Sequence, residues 1–433
     1  MSGKWVTKKI GALGRVVTGK TPSTSDLANF NGLYPFIVIP DLAGRVVIDH
    51  TRRTLSQKGA DIMKSCLLPP GAVVMSCIAT VGKCGVTARP SFTNQQINSV
   101  IPNDDTDSLF LYYVFTQLGR ELESAGGGGS VYTNVSKSRF SDIEVSLPDD
   151  ISEQRAIARI LGALDDKIEL NRRMNQTLEE MARAIFKSWF VDFDPVRAKM
   201  EGRASTGMDT ETAALFPDGF EESELGMVPR GWEVGCVSDM GEIICGKTPP
   251  TKDPENYGSE VPFVTIPDMH NKVYATKTGK CLSTKGAELQ HKKYLSPNSI
   301  CVSCIATPGL VVLTSERSQT NQQINSVVPK EDLCPYYCFW ALRALAEDIR
   351  LSGSGGSVFG NLSKGRFSEL QVLLPPTVII RCFHKTVESL FDKILLNECQ
   401  SRTLAALRDA LLPKLISGEI QVGGAEGVAA PSA

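Results

Sequence analysis

An internal repeat constrains this 433-residue chain more than any other feature. The string GKTP begins at Gly19 and again at Gly246, an offset of 227 residues. The strings IPD, SCIAT, TNQQINSV, GGSV and SK-x-RFS recur at the same offset. Because one offset holds throughout, no net insertion separates the copies, and the chain is a tandem duplication of a domain of about 145 residues.

Each copy combines short β-type runs with turn signals. The runs are PFIVI (35–39), GAVVMSCIA (71–79) and SVIP (99–102), with counterparts in the second copy, and connections rich in Gly and Asn separate them. One helix is expected at 109–123 and another at 336–351. The sequence therefore predicts two α+β domains with largely β cores, the first repeat (1–150) and the second repeat (228–376).

A helical pattern follows each repeat, over 151–195 and 377–418. Seam positions recur at steps of four and three from Ile157 to Trp189 and from Phe383 to Leu415. This spacing is the seam of a coiled coil, and each helix would be about 50 Å long. Two long helices forming an antiparallel coiled coil would place Ile157 opposite Leu415.

Polar residues interrupt this seam at mid-helix. Antiparallel pairing places Asn175 opposite Asn397 and Asn171 opposite Ser401, and buried polar pairs of this kind fix the register of a coiled coil. The alternative is that these positions are exposed at a helix bend. Arg408 falls opposite an apolar position, which the pattern does not explain.

Charge and hydropathy narrow the class of protein. The formal net charge is −2, and residues 201–226 hold seven acidic and one basic residue, so the rest of the chain carries +4. A mildly basic body with an acidic linker (196–227) neither excludes nor requires nucleic-acid binding. No segment reaches the roughly 18 apolar residues of a membrane span, so we expect a cytoplasmic protein with no membrane contact and a disordered tail at 419–433.

The strings GRVVTGKT (14–21) and GEIICGKT (241–248) fit the phosphate-binding loop G-x-x-x-x-G-K-[ST]. That loop needs a helix that opens at Gly-Lys-Thr. Here the residues before it are β-branched, and proline follows at once. We interpret both strings as a strand entering a turn, and keep a nucleotide-hydrolysing enzyme as a minor alternative.

Other catalytic or metal chemistry has little support. Among twelve cysteines only Cys301 and Cys304 have close metal-ligand spacing, and neither they nor Cys334 and Cys338 have a matching pair or histidine cluster. We predict buried free thiols and no metal site. None of the four histidines recurs at the matching position of the other repeat, so we predict no catalytic residue.

Four further strings resemble the specificity (S) subunits of type I restriction-modification enzymes. They are SWFVDFDPVRAKMEGR (188–203), LGMVPRGWEV (225–234), NLSKGRF (361–367) and LLPKLISGEI (411–420). With the repeat they cover nearly the whole chain. The resemblance implies the order target-recognition domain, helix, target-recognition domain, helix.

The resemblance also implies a function. Each recognition domain would bind one half of a bipartite double-stranded DNA target, and the helix pair would set the spacing, with half-sites roughly 34–36 Å apart. Two methyltransferase (M) subunits would dock on this non-catalytic chain, and two restriction (R) subunits would complete the enzyme. S-adenosylmethionine, ATP and Mg are then expected on the partner subunits. The alternative is a standalone bipartite DNA-binding protein without methylation partners.

Candidate DNA contacts combine amides and hydroxyls suited to base edges with basic side chains. Some of these lie beside Gly-rich segments, and others lie in 41–59 and 268–286, where the repeats differ most. The candidates are Lys20, Arg45, Arg52, Arg53, Thr93, Asn94, Gln95, Gln96, Ser130, Tyr132, Asn134, Lys137, Arg139, Lys247, Lys272, Lys277, Thr320, Asn321, Gln322, Gln323, Ser357, Asn361, Lys364 and Arg366. The alternative is that the amides brace turns and that the Gly-rich segments are flexible surface loops. The similarity of the repeats predicts similar half-sites, and thus a target close to an inverted repeat.

Overall fold

The computed structural model describes residues 4–42, 44–126, 134–305, 307–352 and 362–422, with the backbone alone at 125–126 and 347–352. Contacts divide the chain into two compact units. Unit 1 comprises Met1–Glu169 with Thr403–Ala433, and unit 2 comprises Leu170–Arg402. Unit 1 holds the first repeat, and unit 2 holds the second.

The strands of the described residues are β1 (Trp5–Lys9), β2 (Gly14–Thr18), β3 (Phe30–Ile37), β4 (Val47–Ile48), β5 (Thr54–Leu55), β6 (Val73–Ser76), β7 (Cys84–Thr87), β8 (Phe92–Thr93), β9 (Ile97–Pro102), β10 (Glu144–Pro148), β11 (Phe220–Ser223), β12 (Gly226–Pro229), β13 (Glu233–Cys236), β14 (Gly241–Cys245), β15 (Tyr257–Gly258), β16 (Val261–Val264), β17 (Tyr274–Ala275), β18 (Cys281–Leu282), β19 (Ile300–Ser303), β20 (Val311–Thr314), β21 (Gln319–Thr320), β22 (Ile324–Pro329) and β23 (Gln371–Leu374).

The α-helices of the same residues are α1 (Ile10–Leu13), α2 (Gln57–Ile62), α3 (Ser108–Gly126), α4 (Lys137–Asp142), α5 (Ile151–Phe190), α6 (Asp194–Met200), α7 (Thr210–Ala214), α8 (Val237–Met240), α9 (Thr284–Glu288), α10 (Pro335–Ser352), α11 (Lys364–Ser368) and α12 (Thr377–Ile416). The helices predicted at 109–123 and 336–351 are α3 and α10.

The first repeat is built on a five-stranded sheet with the order β2-β9-β6-β7-β4. Its pairs are antiparallel except for the parallel pair β4–β7. A smaller sheet has the order β5-β3-β8, and β1 pairs antiparallel with β10 at the two ends of the repeat. Both faces of β6 are covered, because Val73 and Met75 share a core with α3 whereas Val74 belongs to the core of the smaller sheet.

The second repeat has the same topology. Its main sheet has the order β14-β22-β19-β20-β17, and β13 pairs with β23 as β1 does with β10. The smaller sheet has the order β15-β18-β16-β21, with a parallel pair β16–β21 that matches β3–β8. The predicted α+β fold with two largely β repeats is therefore confirmed.

The two long helices pair within each unit. In unit 1, Ile157 and Leu161 of α5 share a core with Leu412 and Leu415 of α12. In unit 2, the Trp189 ring of α5 lies 5.9 Å from the Phe383 ring of α12. The residue number rises along one helix as it falls along the other, so the pairing is antiparallel, as predicted.

The first long helix ends at Phe190, five residues earlier than predicted. Phe193 adopts a left-handed backbone conformation with φ 56°, and Pro195 follows at the start of α6. Helices α6 and α7 and the β11–β12 hairpin then occupy much of the predicted linker. Val196 of α6 and Phe220 of β11 pack on an aromatic cluster of unit 2, in which Trp232 contacts Phe190, Phe193 and Phe216.

The start of the predicted disordered tail is placed by contacts with unit 1. The backbone N–H of Ile420 donates to the Lys414 carbonyl at 3.1 Å, and Val422 packs against the unit 1 core. The prediction is therefore wrong for residues 419–422, because the chain beyond α12 covers apolar surface. Residues 423–433 lie outside the described part of the chain.

Candidate nucleic-acid interface

The two most conspicuous repeated strings, GKT and TNQQ, meet in the folded chain. The N–H groups of Gly19 and Lys20 donate to the carbonyls of Ile97 and Thr93 at 3.1 and 3.0 Å. The Thr21 hydroxyl donates to Oε1 of Gln95 in the TNQQ segment at 2.6 Å. We call residues 19–21 with 93–96, and 246–248 with 320–323, the GKT–TNQQ loop pair of each repeat.

The second repeat builds the same loop pair. Gly246 and Lys247 donate their N–H groups to Ile324 and Thr320 at 3.1 and 2.9 Å. The Thr248 hydroxyl donates to Oε1 of Gln322 at 2.6 Å, as the threonine hydroxyl does in the first repeat. The two sets of hydrogen bonds agree residue by residue, so the loop pair is a repeated structural element.

The glycine of GKT is required by this close approach. A Cβ atom on Gly19 would lie 2.2 Å from the Asn94 carbonyl oxygen, and one on Gly246 would lie 2.2 Å from that of Asn321. Real Cβ atoms essentially never approach an oxygen so closely. Glycine at this position therefore allows the two loops to lie in contact.

The phosphate-loop alternative is wrong for these strings. The strands β2 and β14 end before GKT, and the next element in the first repeat is a three-residue 3₁₀ turn at Leu27–Asn29. A phosphate loop presents free backbone N–H groups at a helix N-terminus. Here the N–H groups of Gly19, Lys20, Gly246 and Lys247 already donate to backbone carbonyls. Each string is a strand followed by a turn, as predicted.

Within TNQQ, some of the predicted DNA contacts brace the turn. The Asn94 amide donates to Oε1 of Gln96 at 2.9 Å and accepts the Gln96 N–H at 3.1 Å. Asn321 and Gln323 repeat both bonds, at 3.0 and 3.1 Å. These four side chains therefore brace the turns, which was the alternative to base contact.

The first residue of TNQQ is buried in both repeats. Thr93 and Thr320 are each 0% exposed, so the prediction that they contact DNA is incompatible with their placement. They lie in β8 and β21, whose packing encloses the side chains. By contrast, the predicted contacts Gln95, Gln322, Lys20 and Lys247 are exposed on the surface of the loop pairs.

The predicted basic residues outside the loop pairs are at least partly accessible. Arg52, Arg53 and Lys277 are exposed, whereas Arg45 and Lys272 are half-buried. The Arg53 guanidinium lies 4.6 Å from the Phe30 ring centroid. Asp41 of the IPD string accepts the Arg52 N–H at 3.2 Å, so this aspartate shapes the basic loop.

Two short helices, α4 and α11, carry the remaining basic candidates. Ser136 caps α4 by accepting the Arg139 N–H at 3.3 Å, and Ser363 does the same for Arg366 in α11. The side chains of Asn134, Lys137, Arg139, Lys364 and Arg366 are exposed. The remaining candidates, Ser130, Tyr132, Ser357 and Asn361, lie outside the described residues.

The polar seam residues make the predicted contacts within unit 2. The Asn397 amide donates to Oδ1 of Asn175 at 2.8 Å, and Asn171 donates to the Ser401 hydroxyl at 3.2 Å. Asn171 is 0% exposed and Asn397 is 1% exposed, which excludes the alternative of exposure at a bend. Their role in fixing the register stays a prediction.

Arg408, unexplained by the heptad pattern, is part of a polar network in unit 1. Its Nη1 atom lies 2.5 Å from Oδ1 of Asp165, and the Tyr113 hydroxyl donates to Oδ2 of Asp165 at 2.6 Å. Burial, with the charge of Asp165 adding to it, raises the pKa of Tyr113. The network borders a cavity of about 330 Å³ whose lining includes Thr116 and Arg120.

The corresponding residues of unit 2 are apolar. The repeat places Trp340 where the first copy has Tyr113, and it places Phe391 and Ala182 at the positions of Asp165 and Arg408. All three are buried in the unit 2 core. The contact between the repeat and the two long helices is thus polar in unit 1 and apolar, largely aromatic, in unit 2.

The cysteines are free thiols, and seven of the twelve are buried. Burial raises the pKa of the thiols of Cys301 to about 12 and of Cys304 to about 11. Cys334 lies 3.2 Å from Nδ1 of His384, but burial raises the pKa of this thiol to about 12, so it is not an activated nucleophile. No metal-binding cluster occurs among the residues that the structure describes.

Both repeats of the chain match a known protein family. Residues 2–180 and 229–400 match the model of the type I restriction modification DNA specificity domain. The chain belongs to the type I restriction-modification specificity subunits. It is a DNA-recognition subunit, as its resemblance to this family implied.

Two relatives are similar to this chain over most of its length. The chain is 41% identical over 365 residues to the HindI specificity subunit of Haemophilus influenzae, covering 75% of this chain and 78% of that protein. It is 28% identical to the MjaIX specificity subunit of Methanocaldococcus jannaschii, covering 96% of this chain and 94% of that protein. The crystal structure of an S subunit from M. genitalium shares the fold, with a TM-score of 0.55 at 15% identity and 96% of both chains covered.

Two features of the specificity subunit were not anticipated from its sequence. Glu398 of α12 lies 3.4 Å from the backbone nitrogen of Val273, and burial raises the pKa of its carboxyl to about 7. Arg317 stacks on Tyr294 in the second repeat. Neither pair is close in sequence. The β-bridge between Leu295 and Ser318 brings Arg317 to Tyr294, and no sequence signal indicated the contact of Glu398.

No helix of the described residues is long and apolar enough to cross a membrane.

Proposed function

We propose that each repeat of this specificity subunit is a target-recognition domain that binds one half of a bipartite DNA target. The observation that carries the proposal is the GKT–TNQQ loop pair, which is built twice with the same hydrogen bonds. Each copy presents an exposed lysine and an exposed glutamine, Lys20 with Gln95 and Lys247 with Gln322. Glutamine hydrogen-bonds base edges, and lysine binds phosphate, so both contacts are available in each copy.

The other exposed candidates supply backbone contacts in this proposal. Arg52, Arg53, Lys137 and Arg139 would neutralise phosphates near the first half-site. Lys277, Lys364 and Arg366 would do so near the second. Asn94, Gln96, Asn321 and Gln323 hold the loop pairs in shape, and buried Thr93 and Thr320 support them from beneath.

The helix pair would set the spacing between half-sites and dock two M subunits. The polar contacts Asn175–Asn397 and Asn171–Ser401 support a fixed register, which a spacing element requires. Methyl transfer from S-adenosylmethionine and ATP-dependent cleavage with Mg would reside on the M subunits and on two R subunits. This chain would contribute recognition without catalysis.

Methylome sequencing of the host tests the proposal. We expect one bipartite motif with two related halves separated by a constant gap. Gln95→Ala should relax base preference in one half and Gln322→Ala in the other. Unrelated halves would refute the inverted-repeat hypothesis, and a single uninterrupted motif would refute bipartite recognition.

Co-purification separates this proposal from a standalone DNA-binding protein. We expect the full-length chain to bring down M subunits in a complex of two M to one S. If the chain binds DNA but purifies without M subunits from its host, the standalone alternative is correct.

A further inference from the structure

The second repeat holds one arginine in a fixed position beside its loop pair. The Arg317 guanidinium carbon lies 3.5 Å from the ring centroid of Tyr294. The two segments are joined next to this stack, where Leu295 and Ser318 exchange backbone hydrogen bonds of 2.9 and 3.1 Å. The Tyr294 hydroxyl donates to Glu288 at 3.0 Å, which orients the ring. The stacked guanidinium is therefore preorganised at an exposed position.

Buried amides tie this stack to the GKT–TNQQ loop pair. Gln290, 7% exposed, donates through Nε2 to the Lys247 carbonyl at 2.9 Å and to Oε1 of Gln319 at 2.7 Å. Gln319, 0% exposed, donates in turn to the Ala287 carbonyl at 2.9 Å. Gln319 directly precedes TNQQ, so the segment around Tyr294 is anchored to both halves of the loop pair.

Lysines lie beside the stack in the chain. Lys292 is exposed and Lys293 is half-buried on the 3₁₀ turn His291–Lys293, directly before Tyr294. Glu288 is engaged by the Tyr294 hydroxyl, and Glu316 directly precedes Arg317. An exposed planar guanidinium flanked by lysines matches a phosphodiester, which it can bind through two parallel hydrogen bonds.

The first repeat has no equivalent of the stack. At the matching positions it has Leu67 for Tyr294 and Pro90 for Arg317. Its counterparts of Gln290 and Gln319 are the buried apolar residues Met63 and Phe92. A contact made by Arg317 would therefore be confined to one recognition domain.

We infer that Arg317, held on Tyr294, binds a DNA backbone phosphate beside the second half-site, and that the first half-site receives no such contact. The inference rests on the proposed function, because it assumes that the loop pair faces DNA. The first recognition domain has the exposed Arg89 beside Pro90, but with Leu67 in place of the tyrosine it cannot hold an arginine by the same stack.

Salt titration of DNA binding by the full-length chain tests the inference. With a labelled duplex of random sequence as the probe, Arg317→Gln should weaken binding roughly fivefold to tenfold and reduce the slope of log K against log salt by about 1. Arg381→Gln, the same change at an exposed position on α12, is the matched control and should leave both values unchanged.

Two further variants separate the charge from the stack. Arg317→Lys and Tyr294→Leu each keep a cation but lose the stacked guanidinium, so affinity should fall less while the slope is kept. If Arg317→Gln binds like the wild type with an unchanged slope, the inference is overturned. If the wild type does not bind duplex DNA at all, the proposed function fails instead.

Footprinting on the methylated target tests the one-sidedness. Arg317→Gln should lose backbone protection beside one half-site only. Equal loss of protection beside both half-sites would overturn the assignment to the second recognition domain.

Discussion

Arg408 and Asp165 form an ion pair of 2.5 Å within the helix packing of unit 1. The Asp165 side chain is 9% exposed, and the Tyr113 hydroxyl donates to its second oxygen. The recognition domain is thus connected to both long helices through one carboxylate. Arg408 also pairs with Asp409 at 2.8 Å, but its removal leaves Asp165 buried without a counter-ion, which costs more than exchanging the whole pair for apolar residues.

Arg408→Met should therefore destabilise unit 1 by about 3 kcal/mol, because Asp165 is left buried without its counter-ion and keeps only the hydrogen bond from Tyr113. The double variant Asp165→Leu with Arg408→Met should lose less. Urea titration with hydrogen exchange read on peptides of α3 measures unit 1 by itself. A double variant less stable than Arg408→Met would contradict this account of the ion pair.

Gly19→Ala should destabilise the first repeat by at least about 2 kcal/mol and abolish binding to its half-site. The added Cβ would lie 2.2 Å from the Asn94 carbonyl oxygen, so the TNQQ segment must move. Gly365→Ala, where the added Cβ has no neighbour within 4 Å, is the control. Thermal melting and half-site affinity provide the readouts, and equal behaviour of the two variants would refute the proposed contact.

Glu398→Gln should remove a pH dependence of the stability of unit 2. In the folded chain the pKa of about 7 lies above the ordinary value of 4.5 for this carboxyl. The carboxyl therefore contributes most stability below pH 4.5, and this contribution is lost as the pH rises through 7. At pH 8 the variant should exceed the wild type by roughly 2 kcal/mol, with little difference near pH 5.

The measurement for Glu398 is the urea midpoint of unit 2 at several pH values from 5 to 8. Glu369→Gln, at an exposed position of the same unit, is the matched control and should follow the wild-type curve. Parallel curves for Glu398→Gln and wild type would show that this carboxyl does not titrate in the folded state as described.

Asn175→Leu with Asn397→Leu should stabilise the helix pair by about 1 kcal/mol or more and loosen its register. Asn397→Leu alone should destabilise it, because Oδ1 of the half-buried Asn175 loses the hydrogen bond that the Asn397 amide donates. Melting curves and the spacing of the methylated target measure the two effects. An unchanged melting curve together with an unchanged spacing would contradict a register role for these amides.

Much of the fold could be predicted because its evidence is periodic. Identical strings at one offset require the same environment twice, which explains why β2–β9 and β14–β22 pair alike. The seam from Ile157 to Trp189 recurs every three or four residues, so α5 was evident without any tertiary information. The same periodicity predicts that Asn175 lies opposite Asn397, and the two amides are hydrogen-bonded.

The details of the interface depend on contacts between distant residues, and sequence gives these poorly. Thr93 has the residue type of a base contact, yet it lies in a buried two-residue strand that pairs with the distant strand β3. Asp165 lies beside the seam rather than in it, and its partner Tyr113 comes from another helix. Arg317 meets Tyr294 only through the bridge between Leu295 and Ser318. Residue type alone could not indicate these contacts.

The composition of unit 1 has a consequence for how the chain is made on the ribosome. Its core needs Leu412, Leu415 and Ile416 from the end of the chain, whereas unit 2 is contiguous from Leu170 to Arg402. During synthesis the N-terminal domain emerges first but keeps an open apolar groove along α5 until the last helix leaves the exit tunnel. Unit 2 can therefore close before unit 1, against the order of translation, and a premature stop near residue 400 would spare the core of the later domain while leaving that of the earlier one incomplete.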